Sequence, residues 1–286
     1  MTVKRTGQVK EITSLGNPII KDIKALSQKK NRDRERVFLA EGLKLVIDAL
    51  ELGWTIRTLI FAKSGLGHPL IEKTAARTVA AGGLVIEASQ KIMESITRRD
   101  NPQVVIGVFE QKWHSTLDLH VCDSDVFVAL ERIRDPGNLG TIIRTSDAVG
   151  AKGLILIGET TDPYSLETVR ATMGSIFALP LYKLSTGDFD ELKKKFSKVP
   201  SGRVVGTHLK GAVDYRLADF KHGPTLLIMG NEQQGLSDDL SKNCDQLVRI
   251  PQEGRADSLN LAVATGIMLY EIRRHALTLE TREGQL

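Results

Sequence analysis

Residues 248–271, VRIPQEGRADSLNLAVATGIMLYE, set the architecture of the chain, because they join a strand to an apolar helix through a polar loop. The strand signal stops at Ile250 and Pro251, and Ser258 stands where the helix signal begins, so Ser258 is a candidate N-cap. Apolar residues then recur at three- and four-residue steps, the stripe of a helix packed on a core: Leu259, Ala262, Val263, Gly266, Ile267 and Tyr270. Free backbone N–H groups beside Ser258 and Asn260 suit a polar ligand, and a capped helix with nothing bound is the alternative.

Bulk composition indicates a soluble protein of two domains. The chain has 286 residues, 41% of them hydrophobic and 26% charged, and it contains no apolar run of the roughly 20 residues that a membrane span needs. The opening MTVKRTGQVKEI lacks the apolar stretch of a signal peptide. The two cysteines, Cys122 and Cys244, are far apart, which favours the reducing cytoplasm and argues against a disulfide framework or a zinc site. We therefore expect a cytoplasmic protein without membrane or metal.

Positive charge is concentrated at one end of the chain. Residues 1–36 contain ten basic and four acidic residues, a balance of +6, which leaves −2 for the remainder of the +4 total. The run KKNRDRER suits contact with a phosphate backbone, and its candidate RNA-binding residues are Lys29, Lys30, Arg32, Arg34 and Arg36. A solvated helix face with local ion pairs explains the same run equally well.

Helix and strand signals alternate along the chain, which predicts an α/β fold. Residues 1–112 form a smaller α/β domain with helices at 19–30, 43–52, 70–81 and 90–96 and strands at 37–39, 55–62, 84–87 and 104–109. Residues 113–124 have no clear period and are assigned as a linker. Residues 125–286 carry strands at 126–130, 154–157, 178–182, 204–206, 226–229 and 247–250, with helices between them. Continuous apolar runs such as LLIM indicate a mostly parallel sheet between helix layers.

Three glycine-rich polar loops follow strand signals, at the sheet edge where open α/β proteins bind ligands. In RIRDPGNLGTIIRTSDAVG, Asn138 opens a helix that carries Arg144 six residues later. In GNEQQGLS, Gly230 ends a buried strand and the turn contains Asn231, Glu232 and Gly235. The third loop is the one in residues 248–271. No GxGxxG follows a strand, and GxxxxGK[ST], HExxH and GxSxG are absent, which argues against the common nucleotide, zinc-protease and hydrolase sites.

Taken together, the three loops resemble the SpoU (TrmH) branch of the SPOUT methyltransferase superfamily. Its first motif has Asn and then Arg six residues on, its second reads Gly-x-Glu-x-x-Gly after a strand, and its third reads Ile-Pro, a loop and Ser-Leu-Asn; this chain has all three in order. The resemblance covers about residues 127–272, and KDIKALSQKKNRDRERVFLAEG is similar to the small substrate-binding domain that many members carry in front. The chain departs from the family at Gln233, Gln252 and Asp257.

The resemblance implies an S-adenosylmethionine-dependent methyltransferase that modifies the ribose 2′-OH of structured RNA, ribosomal RNA in preference to transfer RNA. It also implies a mostly parallel sheet with a deep trefoil knot, and a homodimer through the C-terminal domain with the active site near the subunit interface. Carried over from the family, the catalytic residues are Asn138, Arg144, Glu232, Ser258 and Asn260. The cofactor-binding residues are Thr207, Gly230, Asn231, Gly235, Ile250 and Leu259, and the family contacts its cofactor largely through backbone.

In that chemistry the protein must align a ribose oxygen behind the methyl group and assist loss of its proton. Two roles stay open for Arg144, because a guanidinium is ordinarily always protonated. It is either a base whose proton is drawn toward a phosphate or a cation that fixes the phosphate and stabilises the alkoxide. Asn138 would hold the Arg or the ribose, Glu232 would orient the Arg or the substrate, and Ser258 and Asn260 would position the hydroxyl and the loop.

Three other functions are compatible with the sequence. The chain could be a transfer RNA 2′-O-methyltransferase, a nucleobase methyltransferase, or a non-catalytic RNA-binding ribosome-assembly factor with the same fold. The presence of all five catalytic candidates argues against the last. Whether methylation serves housekeeping or antibiotic resistance is left open by the sequence.

Overall fold

The structure is a computed structural model that describes residues 7–209 and 212–279. Its helices and strands in chain order are β1 (Gln8–Ile12), α1 (Pro18–Ala25), α2 (Lys29–Glu35), β2 (Val37–Glu41), α3 (Leu43–Glu51), β3 (Ile56–Ala62), α4 (Pro69–Ala80), β4 (Leu84–Ala88), α5 (Gln90–Thr97), β5 (Val105–Glu110), β6 (Val126–Glu131), α6 (Pro136–Ala148), β7 (Gly153–Ile157), α7 (Leu166–Ala171), β8 (Leu181–Leu184), α8 (Phe189–Ser197), β9 (Arg203–Thr207), β10 (Val213–Asp214), β11 (Thr225–Met229), α9 (Asp238–Asn243), β12 (Gln246–Arg249) and α10 (Leu261–Ile272).

The chain divides into two compact units. The first contains the residues up to Lys112 together with Asp162–Phe177, and the second contains Trp113–Thr161 and the residues from Ala178 onward. No helix within the described ranges combines the length and the apolar composition that crossing a lipid bilayer requires.

The first unit is built on a five-stranded sheet in the order β1-β4-β3-β5-β2. β1, β4 and β3 run parallel, while β5 is antiparallel to both β3 and β2. Strand β1 was not predicted from the sequence because only Ile12 of its five residues is buried, so it shows no apolar alternation. The predicted helix 19–30 is two helices, α1 and α2, separated by a turn at Leu26–Gln28.

Residues 162–177 complete the core of the first unit, although they follow β7 of the second in the sequence. Tyr164 lies 4.6 Å from Phe38 between ring centroids, and Phe177 lies 5.1 Å from Trp54. The Trp54 indole also donates a hydrogen bond of 2.8 Å to the carbonyl of Phe177. Aromatic side chains of this size bury a large apolar area, so the segment contributes substantially to the stability of this unit.

The second unit confirms the predicted α/β fold with a mostly parallel sheet. Among the described residues its sheet has seven strands in the order β10-β12-β9-β11-β6-β7-β8, and every neighbouring pair is parallel. β6, β7 and β11 are buried along their whole length, as expected for strands covered on both faces. Helices α6 and α10 pack against each other.

In the second unit one strand lies later in the sequence than predicted, and one helix was not predicted. The strand expected at 178–182 is β8, Leu181–Leu184, and it begins after Pro180, whose nitrogen cannot donate to a ladder. Helix α9 was not predicted, because its six residues DDLSKN carry only one buried apolar side chain, Leu240.

Candidate active site

The carboxyl ends of β9, β11 and β12 surround a cavity of about 590 Å³. These strands are parallel neighbours, so the loops that leave them meet at one sheet edge. All six residues predicted to bind a cofactor line the cavity: Thr207, Gly230, Asn231, Gly235, Ile250 and Leu259. Glu232 and Ser258 line it as well.

The loop of residues 230–237, which we call the cofactor loop, lines the cavity with residues 230–236. A Cβ atom on Gly230 would overlap the backbone carbon of Gly235 and the backbone nitrogen of Leu236, so only glycine fits there. Gly235 has φ +70°, a left-handed conformation that glycine adopts without strain. Asn231 Oδ1 accepts the N–H groups of Gln233 and Gln234 at 2.9 and 3.1 Å, which holds the turn closed.

A hydrogen-bonded chain of side chains joins the three predicted motifs. Asn260 Nδ2 donates to Asn138 Oδ1 at 2.9 Å, and Asn138 Nδ2 donates to Glu232 Oε1 at 3.4 Å. The Glu232 carboxylate also accepts the backbone N–H groups of Arg134 and Asp135, each at 3.3 Å. These hydrogen bonds fix the orientation of the Asn138 amide, with its oxygen toward Asn260 and its nitrogen toward Glu232.

The N-cap of α10 is Asn260, and the expectation of Ser258 was wrong. Asn260 Oδ1 accepts the N–H groups of Ala262 and Val263 at 2.9 and 3.3 Å, and the helix begins at Leu261. Both Ser and Asn are good N-caps. Leu259 is apolar and in step with the helical stripe but lies before the helix, so the stripe predicted a helix start that is too early. Ser258 is instead exposed at the rim of the cavity, where its hydroxyl can meet a ligand.

Arg144 is the one predicted catalytic residue that the fold leaves apart from the others. It lies six residues after Asn138 on α6, about 9 Å along the helix axis, and does not line the cavity. Its side chain is exposed and, among the residues that the structure describes, forms no hydrogen bond or ion pair. The cavity of a single chain is therefore built without this guanidinium.

Glu131, which sequence analysis did not single out, supports the same loops. It is the last residue of β6, its exposed fraction is only 2%, and its Oε2 accepts the Ser237 N–H at 2.8 Å. The signal available in the sequence was a carboxylate ending the apolar run VFVALE, directly before the first motif. A buried charge is costly unless it is paired, so such a position has a specific partner.

Among the residues predicted to bind RNA, Arg32 was assigned wrongly. Its side chain is buried in the first unit, with Nη2 2.6 Å from Asp162 Oδ2 and Nη1 donating to the Leu26 carbonyl at 2.7 Å. Arg32 therefore has a structural role in the first unit and is not available to contact RNA. Lys29, Lys30, Arg34 and Arg36 are exposed, and Arg34 forms a solvent-exposed pair with Glu35 at 2.8 Å.

The thiol of Cys244 is held in its protonated, poorly nucleophilic form. Burial raises the pKa of Cys244 to about 12, and its thiol donates to the Leu240 carbonyl at 3.2 Å, so it stays protonated at neutral pH. Within residues 7–209 and 212–279, no three His, Cys, Asp or Glu side chains are grouped to hold a metal ion.

Comparison with protein families gives a match over both units. Residues 125–270 match the SpoU rRNA Methylase family, and residues 17–107 match the MRM3-like substrate binding domain.

Individual relatives span nearly the whole chain. The 23S rRNA (uridine(2479)-2′-O)-methyltransferase of Streptomyces viridochromogenes is 34% identical, over 96% of this chain and 96% of its own length. The 23S rRNA (guanosine(2553)-2′-O)-methyltransferase RlmP of Bacillus subtilis is 29% identical, over 93% of this chain and 100% of its own. The crystal structure of an AdoMet-bound rRNA methyltransferase from Sinorhizobium meliloti superposes with a TM-score of 0.89 at 59% identity, covering 95% of this chain and 100% of that one.

Proposed function

The chain belongs to the SpoU rRNA Methylase family, and from that membership we propose that it transfers a methyl group from S-adenosylmethionine to the ribose 2′-OH of a nucleotide in 23S ribosomal RNA. The observation that carries the proposal is the convergence of two motif loops on one cavity, with the third motif joined to them through Asn138. The relatives that span the chain are named for this reaction on 23S rRNA.

The cavity fits the cofactor in size and in character. Its volume of about 590 Å³ lies within the range of pockets that enclose drug-sized ligands. The cofactor loop forms one wall, and the other contacts come from Thr207 at the end of β9, Ile250 directly after β12 and Leu259 just before α10. Bound there, S-adenosylmethionine supplies a methyl group on a positively charged sulfur. The protein then has to bring a ribose oxygen to that methyl group.

The side chains around the cavity are suited to orient the ribose. The Ser258 hydroxyl at the rim can donate to and accept from a sugar hydroxyl. Glu232, pinned by two backbone N–H groups, keeps Asn138 in one amide orientation. Asn260 ties that amide to the start of α10. Preorganised polar groups of this kind need little rearrangement when substrate arrives, which favours catalysis.

We infer that Arg144 acts in the site of a second copy of the chain, in a homodimer. Arg144 lies outside the cavity of its own chain, and α10 exposes Val263 and Tyr270, with exposed fractions of 51% and 56%. Apolar residues spaced in this way on one helix face suit a two-fold interface. A partner's guanidinium brought to the cavity would fix the RNA phosphate and stabilise the alkoxide that forms from the 2′-OH.

Two further features belong to the proposal. A deep trefoil knot is supported by the path of the chain. Strand β12 lies beside β9, and β6 lies on the other side of β11 in the same sheet. The helix that follows β12, α10, nevertheless packs on α6, the helix that follows β6. A cytoplasmic location is supported by the free thiols of Cys122 and Cys244 and by the RNA substrate.

Radiolabelled methyl transfer tests the reaction. We expect purified protein to label 23S rRNA taken from cells that lack the gene, and alkaline hydrolysis of the product to leave a resistant dinucleotide, because a 2′-O-methyl group blocks cleavage of the adjacent phosphodiester. Label on transfer RNA in place of 23S rRNA would identify transfer RNA as the substrate. Label on the nucleobase would show that the protein is a base methyltransferase and not a ribose methyltransferase. Absence of label on any RNA would favour the non-catalytic assembly factor.

The exposed cations of α2 and its flank give a prediction about RNA affinity. Changing Lys29, Lys30 and Arg34 to glutamine should weaken rRNA binding about tenfold at moderate salt and lower the salt slope, because each contact releases counterions from the phosphates. Titrations at several salt concentrations measure both quantities, and binding of S-adenosylmethionine should be unchanged.

A matched control removes the same charge elsewhere. Lys152, Lys194 and Lys198 are exposed in the second unit and lie on or next to α8 and the amino end of β7. Their triple glutamine variant should bind RNA like the unaltered protein; equal weakening by the two triple variants would show a non-specific charge effect. Arg32 is left intact, because losing one partner of a buried ion pair costs about 3–5 kcal/mol of stability.

A further inference from the structure

The cofactor loop is attached to the end of β6 at both of its ends. Near its start, Asn231 Nδ2 donates to the carbonyl of Arg132 at 2.8 Å. At its end, the Ser237 N–H donates to Glu131 Oε2, also at 2.8 Å. Two consecutive residues of β6 and its exit therefore hold the two ends of an eight-residue loop, and between them the loop lines the cavity.

The attachment at Glu131 is the stronger of the two. Its side chain is only 2% exposed, and a hydrogen bond accepted by a carboxylate is about twice as strong as one between two neutral groups. The Arg132 guanidinium pairs with the other carboxylate oxygen, with Nε 3.3 Å from Glu131 Oε1. The two carboxylate oxygens thus have separate tasks, because one faces the guanidinium and the other faces the cofactor loop.

Arg132 shapes the second attachment through its backbone. Its φ of 50° is left-handed, a conformation that is strained for a residue with a side chain. The turn ends β6 and directs the Arg132 carbonyl to Asn231. The strained backbone of Arg132 thus coincides with the hydrogen bond that attaches the cofactor loop.

We propose that Glu131 is a positioning residue for the cofactor site. It does not line the cavity. It fixes Ser237, and so keeps Leu236 and Gly235 packed on Gly230, where the two backbones approach too closely for any side chain. Release of Ser237 lets this wall of the cavity shift, which weakens cofactor binding without removing any catalytic group. The proposal rests on the proposed function, since it assigns Glu131 to the S-adenosylmethionine site.

Two conservative variants separate the geometry of the carboxylate from its charge. Glu131→Asp keeps the charge but retracts the carboxylate by one carbon–carbon bond, beyond hydrogen-bonding reach of Ser237. Glu131→Gln loses the charge but keeps an acceptor oxygen at the right distance. If Glu131 acts by holding Ser237, the aspartate variant should bind S-adenosylmethionine about tenfold more weakly, and the glutamine variant should stay within about threefold of the unaltered protein.

Isothermal titration calorimetry of the full chain with S-adenosylmethionine measures the affinities, and steady-state methylation measures KM and kcat. We expect Glu131→Asp to raise the KM for S-adenosylmethionine and to leave kcat nearly unchanged at saturation. Glu41→Asp is the matched control. Glu41 is also a buried, paired carboxylate, 2.6 Å from Arg170 in the first unit, and shortening it should lower the melting temperature without changing cofactor affinity.

The outcomes are distinct. Weak binding by Glu131→Asp, with near-normal binding by Glu131→Gln and Glu41→Asp, supports the positioning role. Binding by Glu131→Asp within twofold of the unaltered protein overturns it. A glutamine variant that is as weak as the aspartate one also overturns it, because an acceptor at the right distance from Ser237 would then not be enough to maintain the site. If the unaltered protein binds no S-adenosylmethionine, the proposed function fails, and the positioning role fails with it.

Discussion

Replacing Arg144 with alanine should reduce methyl transfer about 100- to 10,000-fold, the range that a positioned proton-transfer or charge-stabilising group contributes. Binding of S-adenosylmethionine should be nearly unchanged, because Arg144 does not line the cavity and supports none of its walls. Single-turnover methylation and calorimetry on the same preparation measure the two quantities. Near-normal turnover would remove Arg144 from the mechanism, and lost cofactor binding would show that it has a structural task.

Arg144→Lys refines the interpretation. Lysine keeps the positive charge but loses the planar fork that can contact a phosphate with two parallel hydrogen bonds. Substantial activity in the lysine variant, rising with pH, would favour a base that can be deprotonated. Little activity at any pH would favour a fixed cation that recognises the phosphate.

Gly230→Ala should abolish binding of S-adenosylmethionine, with a loss of about 100-fold or more in affinity, because overpacking against backbone cannot be relieved by a rotamer change. The added Cβ would overlap the main chain of Gly235 and Leu236, which forms the wall of the cavity. Calorimetry measures the affinity, and thermal unfolding reports whether the sheet survives.

The control is Gly187→Ala in the same unit. A Cβ there would meet only the Ser185 hydroxyl, at 3.9 Å, an ordinary contact distance. Cofactor affinity in this variant should match that of the unaltered protein. Tight binding by Gly230→Ala would show that the cofactor loop is free to shift, and would weaken the role given to Glu131 as well.

These two variants can be combined to test the homodimer. A subunit with Arg144→Ala keeps an intact cavity, and a subunit with Gly230→Ala keeps an intact guanidinium. If Arg144 acts in the partner's site, mixed dimers have one complete site, and random pairing should restore about a quarter of the normal activity. If Arg144 acts in its own chain, mixing should restore nothing.

The site residues that could be predicted are those for which short spacings carry the information. The cofactor loop and the 248–271 segment each follow a strand with a clear apolar run. Because the carboxyl ends of parallel strands share one sheet edge, these loops were expected to meet there, and the family resemblance supplied the six candidate cofactor-binding residues within them. Asn138 and Glu232 were likewise assigned from the motifs of the family, and the structure joins their side chains by a hydrogen bond.

The predictions that failed concern residues whose partners are remote in the chain. Nothing in KKNRDRER distinguishes Arg32 from its exposed neighbours, because its partner Asp162 lies 130 residues away. The same holds for the α10 cap: Ser258 and Asn260 are both suitable, and the choice depends on Asn138 across the site. Strand β1 was missed because its one buried residue creates no pattern.

The way in which residues 162–177 complete the first unit limits how the RNA-recognition function proposed for that unit can be exchanged between proteins. A single recombination junction near residue 112 would carry away the five-stranded sheet but leave Tyr164 and Phe177 behind, exposing the aromatic surface of Phe38 and Trp54. Any functional chimera must therefore inherit two separate gene fragments from one parent.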